Sequence, residues 1–228
     1  MYRALLGIAV LMMLGSAGAA SAASPVATRA QQKDADVPAY TLSLSADGHA
    51  VVLSGGVRFG LARDLQSLLD ATPGIATLIL TSPGGRLSEA ESVAHLIRAR
   101  GLNTYVPQYC YSACTRIFVA GEQRTLAIAA KLGFHGAALT APVPALAARF
   151  VLWGVNETEV ADYAADGVDR AFMRRAMAVT PPGLWRPTAK ELLAAHVITA
   201  APVTRQFVLP PPVPVPPAPP EPVAPDAT

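Results

Sequence analysis

Leu78-Ile79-Leu80-Thr81-Ser82-Pro83-Gly84-Gly85 decides the fold of this 228-residue chain. Ala76 to Leu80 is short and, apart from Thr77, apolar, the composition of a strand buried on both faces of a parallel sheet. Ser82 to Gly85 must then be a loop, because Pro83 lacks a backbone donor and two glycines follow it. Such a loop lies at the carboxyl end of its strand, where open α/β sheets place ligands. Its glycines allow backbone N–H groups to face what binds there.

Strands and helices alternate on both sides of this stretch. Upstream, Thr41 to Leu44 and Ala50 to Leu53 are β-prone runs around the turn signal Asp47-Gly48. Leu61, Leu65, Leu68 and Leu69 recur at helical spacing until Pro73-Gly74. Downstream, Ser88 to Arg100 reads as a helix closed by Gly101, Thr104 to Val106 as a strand, and Ser112 to Ala120 as a helix. The alternation predicts a single α/β domain whose parallel sheet is built from right-handed β-α-β crossovers. After Trp153, Asn156 and Glu159 stand at capping-box spacing and predict a helix towards Met177, weak at Gly167 and stopped by Pro181-Pro182-Gly183. Thr188 to Ala195 is a short helix and Val197-Ile198-Thr199 a closing strand. No period repeats, which excludes a solenoid.

The ends differ from the middle. Arg3 precedes an unbroken apolar run from Ala4 to Leu14, and Ala20-Ser21-Ala22 has the small-x-small pattern of a cleavage site. Residues 1–22 therefore read as a secretory signal peptide; the apolar run falls short of the ~20 residues that a membrane span needs. Residues 23–40 read as a flexible leader, 41–208 as the domain, and 209–228 as a Pro-rich tail that favours extended polyproline II. A periplasmic location follows from the signal, with no membrane attachment after its removal. The formal net charge of +2 leaves no basic footprint for nucleic acid or anionic lipid. Cys110 and Cys114 are the only cysteines, and in an oxidising compartment a close isolated pair suggests a disulfide. A redox thiol pair is the rival, although this is not the usual redox spacing. The four histidines, His49, His95, His135 and His196, are scattered, so neither a metal site nor a cofactor is expected.

Two further pieces carry chemistry. Cys110-Tyr111-Ser112-Ala113-Cys114 sets a serine ahead of a helix, whose free N–H groups can stabilise an oxyanion. Leu132-Gly133-Phe134-His135-Gly136 places a histidine between glycines that open the space around it. Ser112 stands 27 residues after Gly85, and His135 stands 23 residues after Ser112.

In this order and spacing, Val51 to Thr199 resembles the proteolytic subunit of the Clp protease and its crotonase-fold relatives. It is most similar to exported members with a Cys-x-Ser-Ala-Cys box. The resemblance implies a serine peptidase in which Ser112 is the nucleophile, His135 the general base, and the N–H groups of Gly85 and Ala113 the oxyanion hole. It also implies a peptide or protein substrate, and assembly into homo-oligomers through the helical region after the histidine. One departure matters. The aspartate such enzymes carry shortly before the final helix has no counterpart in Pro181 to Pro187. Asp162, Asp166 and Asp169 lie upstream, and could serve only if the helix folds back towards His135.

Two functional readings stay open at this point. One is a periplasmic serine hydrolase. The other is a catalytically silent module that binds a peptide or partner, with Ser112 a helix cap and His135 a hydrogen-bonded pocket residue. An acyl-CoA enzyme is the poor third, since the periplasm holds no coenzyme A pool. His196 has no expected catalytic role; it ends a helix, where a left-handed residue is wanted.

Overall fold

The computed structural model describes residues 34–204. The segment read as a signal peptide and the Pro-rich tail lie outside the described residues. Strand β1 (Tyr40–Leu44) and strand β2 (Ala50–Gly55) form the expected antiparallel hairpin, with Tyr40 opposite Gly55. Helix α1 (Leu61–Ala71) buries Leu61, Leu65 and Leu69, and strand β3 (Thr77–Thr81) then pairs parallel to β2. Leu78, Ile79 and Leu80 of β3 are all fully buried, so the apolar run is covered on both faces as its composition requires. Helix α2 (Leu87–Arg100) ends on Gly101 in the left-handed conformation, and strand β4 (Asn103–Val106) extends the parallel order. The order of the five-stranded sheet is β1-β2-β3-β4-β6, where β6 is Arg124–Leu126.

A second, two-stranded parallel sheet is what positions the chemistry. Strand β5 (Tyr109–Tyr111) and strand β7 (Lys131–Gly133) pair with Tyr111 opposite Gly133. Helix α3 (Ala113–Val119) follows β5 after one residue, Ser112. Helices α4 (Ala145–Ala165), α5 (Arg170–Met177) and α6 (Ala189–Ala194) complete the domain. Thr188 and Glu191 form a reciprocal capping box on α6, and His196 takes the left-handed conformation just beyond its end.

Three expectations are corrected. Helix α4 begins at Ala145 rather than at Asn156, so Asn156 and Glu159 lie inside it, where the same spacing merely marks one helical face. Val197-Ile198-Thr199 forms no strand: Val197 and Ile198 plug the core, and Thr199 N–H donates to the carbonyl of Arg124 outside any ladder. Asp34 to Pro38, read as leader, pack on the domain. Asp34 is buried, accepts hydrogen bonds from Arg86 and from the N–H of Phe59, and holds this segment against the glycine loop.

A buried ion cluster ties the helices together beneath the site. Arg116 of α3 is 2% exposed and pairs with Glu91 of α2 and with Asp166 at the end of α4. Arg98 of α2 pairs with the same two carboxylates. Among the described residues, no helix is long and apolar enough to cross a membrane.

Candidate active site

Ser112 occupies a single-residue corner between β5 and α3. Its N–H donates to the carbonyl of Gly133 at 2.8 Å, and its own carbonyl accepts from the N–H and the hydroxyl of Thr115. Its backbone is at φ 53° and ψ −131°, a conformation that an L-residue with a side chain avoids. The hydroxyl caps nothing: although Ser112 stands at the N-cap position, its side chain accepts no hydrogen bond from the helix. The hydroxyl is therefore left to the cavity, of about 580 Å³, that Ser112 helps to line. Cys110 of β5 and Cys114 in the first turn of α3 are joined by a disulfide, with Cα atoms 5.3 Å apart. Both are fully buried, so the bridge braces the corner from behind.

The glycine loop leans on this corner. Tyr111 N–H donates to the carbonyl of Ser82, and Ser82 N–H donates to the carbonyl of Tyr109, which strings the loop along β5. A Cβ on Gly84 would come within 2.6 Å of the Tyr111 carbonyl oxygen and 2.8 Å of Ser112 Cβ, so only glycine allows the approach. Gly85 and Ala113 line the same cavity. Neither of their N–H groups has a hydrogen-bond acceptor among the described residues. Two unpaired amides beside a serine are the donor set that a developing oxyanion needs.

His135 lines the same cavity from the arm that follows β7. Phe134 and Trp185 exchange both backbone hydrogen bonds, Gly136 N–H donates to the carbonyl of Val179, and Ala137 N–H donates to Asn156 Oδ1. Nδ1 of His135 lies 2.6 Å from the carbonyl oxygen of Gly136. A carbonyl can only accept, so a proton sits on Nδ1, and in the neutral ring the lone pair is on Nε2. No hydrogen bond joins His135 to Ser112 in this structure, although both line the one cavity. None of the upstream aspartates orients the ring. Asp169 caps α5 by accepting from Phe172 N–H, and Asp166 is committed to Arg98 and Arg116. The Gly136 carbonyl stands where an aspartate was sought.

Sequence reasoning missed Glu159 as a cavity residue. It lines the same cavity from α4, is 8% exposed, and makes no hydrogen bond or ion pair to any described residue. Burial raises its pKa to about 7, opposed by nearby Arg116 and reinforced by Asp162 and Glu91. One turn on, Tyr163 is fully enclosed, and its hydroxyl lies 2.7 Å from Thr115 Oγ1, which itself holds the Ser112 carbonyl. Burial pushes the phenol well above its ordinary range. The signal for Glu159 lies in the fold: nothing local to residues 156–159 tells that α4 lies over the corner at Ser112.

No family model matches this chain, and no curated protein matches it. Among solved structures, a point mutant of ClpP1 from Listeria monocytogenes superimposes with a TM-score of 0.52 and 16% sequence identity. The match covers 67% of this chain and 90% of that one. At that identity, the likeness establishes the fold: a mixed α/β domain with a mainly parallel sheet, of the ClpP type.

Proposed function

We propose that the chain is an exported serine hydrolase, a Clp-protease-like peptidase that acts through Ser112 and His135. The observation that carries this reading is the corner at Ser112. A strained backbone presents a hydroxyl that caps no helix, beside the unpaired N–H groups of Gly85 and Ala113. Strain of this kind costs ~1–3 kcal/mol and concentrates at functional positions.

In this reading Ser112 Oγ attacks the carbonyl carbon of a peptide bond and passes its proton to Nε2 of His135. The carbonyl oxygen, now negative, accepts hydrogen bonds from Gly85 and Ala113 N–H. The imidazolium then protonates the leaving amine, and an acyl ester on Ser112 remains. Water attacks that ester and gives its proton to Nε2, which passes it to Ser112 Oγ as the acid leaves. Ser112 and His135 are not hydrogen-bonded at rest, so the first step needs the ring to swing onto the hydroxyl or one water to bridge them.

Export is supported by the apolar segment behind Arg3 and by the disulfide, which persists in oxidising compartments. Self-assembly is supported by the outer face of α4, where Leu146, Phe150, Val151 and Trp153 are exposed. The second reading, a silent binding module, draws on the open Ser112–His135 pair and on a ring held by a carbonyl rather than a carboxylate. A fluorophosphonate probe separates the two. Wild-type protein should be labelled and Ser112→Ala should not; a folded wild type that resists the probe hands the site to the binding reading.

A further inference from the structure

Glu159, a residue only 8% exposed, is the one acidic side chain in the cavity wall with no donor among the described residues. An acidic side chain in that position is costly unless something supplies the missing hydrogen bond or charge. The other charged groups lining the cavity are already engaged: Asp36 and Arg86 pair with each other, and His135 Nδ1 with the Gly136 carbonyl. Behind Glu159 no cation among the described residues is free to turn to it. Arg116 and Arg98 are held there by Glu91 and Asp166, and Arg124 by backbone carbonyls that include that of Asp166. Arg116 cannot turn to Glu159 without abandoning Glu91 and Asp166.

We infer that Glu159 is a specificity-determining residue that receives a positively charged group of the substrate, an ammonium or guanidinium, inside the cavity beside Ser112. The inference rests on reading this cavity as the substrate site. A cation placed against Glu159 gains a charge-assisted hydrogen bond in a shielded setting, whereas an apolar group of equal length leaves the carboxyl unsatisfied. Substrates would then be cationic peptides, with the charged side chain close to the bond that is cut.

The test compares two blocked esters that differ only in the terminal ammonium, the p-nitrophenyl esters of N-acetyl-lysine and N-acetyl-norleucine. Wild type should prefer the lysine ester in kcat/KM, and Glu159→Gln should cut that preference by about tenfold or more. Glu159→Asp should keep part of it. An unchanged ratio in Glu159→Gln, or a wild type that prefers norleucine, overturns the inference. A second arm does not depend on catalysis. Ser112→Ala is titrated with dye-labelled, end-blocked pentapeptides carrying a central Lys or norleucine, with and without Glu159→Gln, and followed by anisotropy. The Lys peptide should bind about tenfold more tightly, an advantage lost with Glu159→Gln. Equal binding of both peptides, or binding of neither, sinks the cation site. Cation-selective binding without ester hydrolysis or probe labelling would sink the hydrolase reading alone.

Discussion

Nδ1 of His135 donates to the carbonyl oxygen of Gly136, its own neighbour in the chain, over 2.6 Å. This bond gives the ring the tautomer that a general base needs, because it leaves the lone pair on Nε2. A carbonyl lacks the full negative charge with which a carboxylate steadies the imidazolium; in a triad, replacing that carboxylate by an amide costs ~10⁴ in rate, there largely through the wrong tautomer. Under the proposed function, a base held in this way makes for slow hydrolysis.

Asp169 is outside that arrangement, since its side chain caps α5 at Phe172 N–H. Asp169→Asn keeps an equally good cap and should leave the rate of fluorophosphonate labelling within about twofold. A much larger drop, with an unchanged melting temperature, would mean that Asp169 reaches His135 in the working state.

Asn156 does act on the histidine arm. Its Oδ1 accepts from Ala137 N–H, two residues beyond the ring, and its amide reaches the carbonyl of Met177. Asn156→Ala should cost about 1–2 kcal/mol in stability, because a half-buried N–H loses its acceptor. Labelling of Ser112 should slow more than the loss of folded protein explains; equal losses in both would make Asn156 a purely structural residue.

The corner at Ser112 separates two substitutions that look alike. With φ at 53°, any side chain is strained there, and no capping bond is lost when the hydroxyl goes. Ser112→Gly should therefore be more stable than Ser112→Ala by about 1 kcal/mol in chemical denaturation, while both abolish labelling. Equal stabilities would remove the claim of strain.

The parts legible in the sequence were those whose cause is local. Leu78 to Leu80 declares a buried parallel strand by composition, and Pro83-Gly84-Gly85 declares a loop by chemistry. Both are where they were expected. The start of α4 was illegible, because Leu146, Phe150 and Trp153 face outward and give no core-facing period. Val197-Ile198 reads as strand from β-branched apolar residues, yet burial alone satisfies them. In the site, Ser112 and the glycine loop could be found by motif and spacing. The Gly136 carbonyl on the ring and Glu159 in the cavity depend on how α4 packs, which no local pattern encodes.

The disulfide should behave as a brace. Alkylation without reductant should label neither Cys110 nor Cys114 in protein taken from an oxidising compartment, and full labelling would remove the bridge. Replacing both cysteines by serine should cost about 2 kcal/mol from loop closure alone, since the bridge spans a separation of only four residues. The loosened corner should also slow labelling of Ser112.

Glu159 gives the domain a pH dependence whose sign can be worked out. Its carboxyl has an ordinary value of 4.5 in the unfolded chain, and burial raises it to about 7 in the fold, against Arg116 and with Asp162 and Glu91. Below about pH 4.5 it is protonated in both states, and its burial carries no ionic cost. As pH rises towards 7 the unfolded chain gives up this proton while the folded one keeps it, so stability falls. Above pH 7 the loss is complete, at about 3 kcal/mol. Glu159→Gln is spared that loss, so its advantage over wild type should grow between pH 5 and pH 8 by about this amount. Thermal or urea melts of the pair across that range provide the measurement. A difference that stays flat with pH would mean that the carboxyl is already ionised and satisfied at pH 5, and that the cavity wall at Glu159 is wetter than its burial implies.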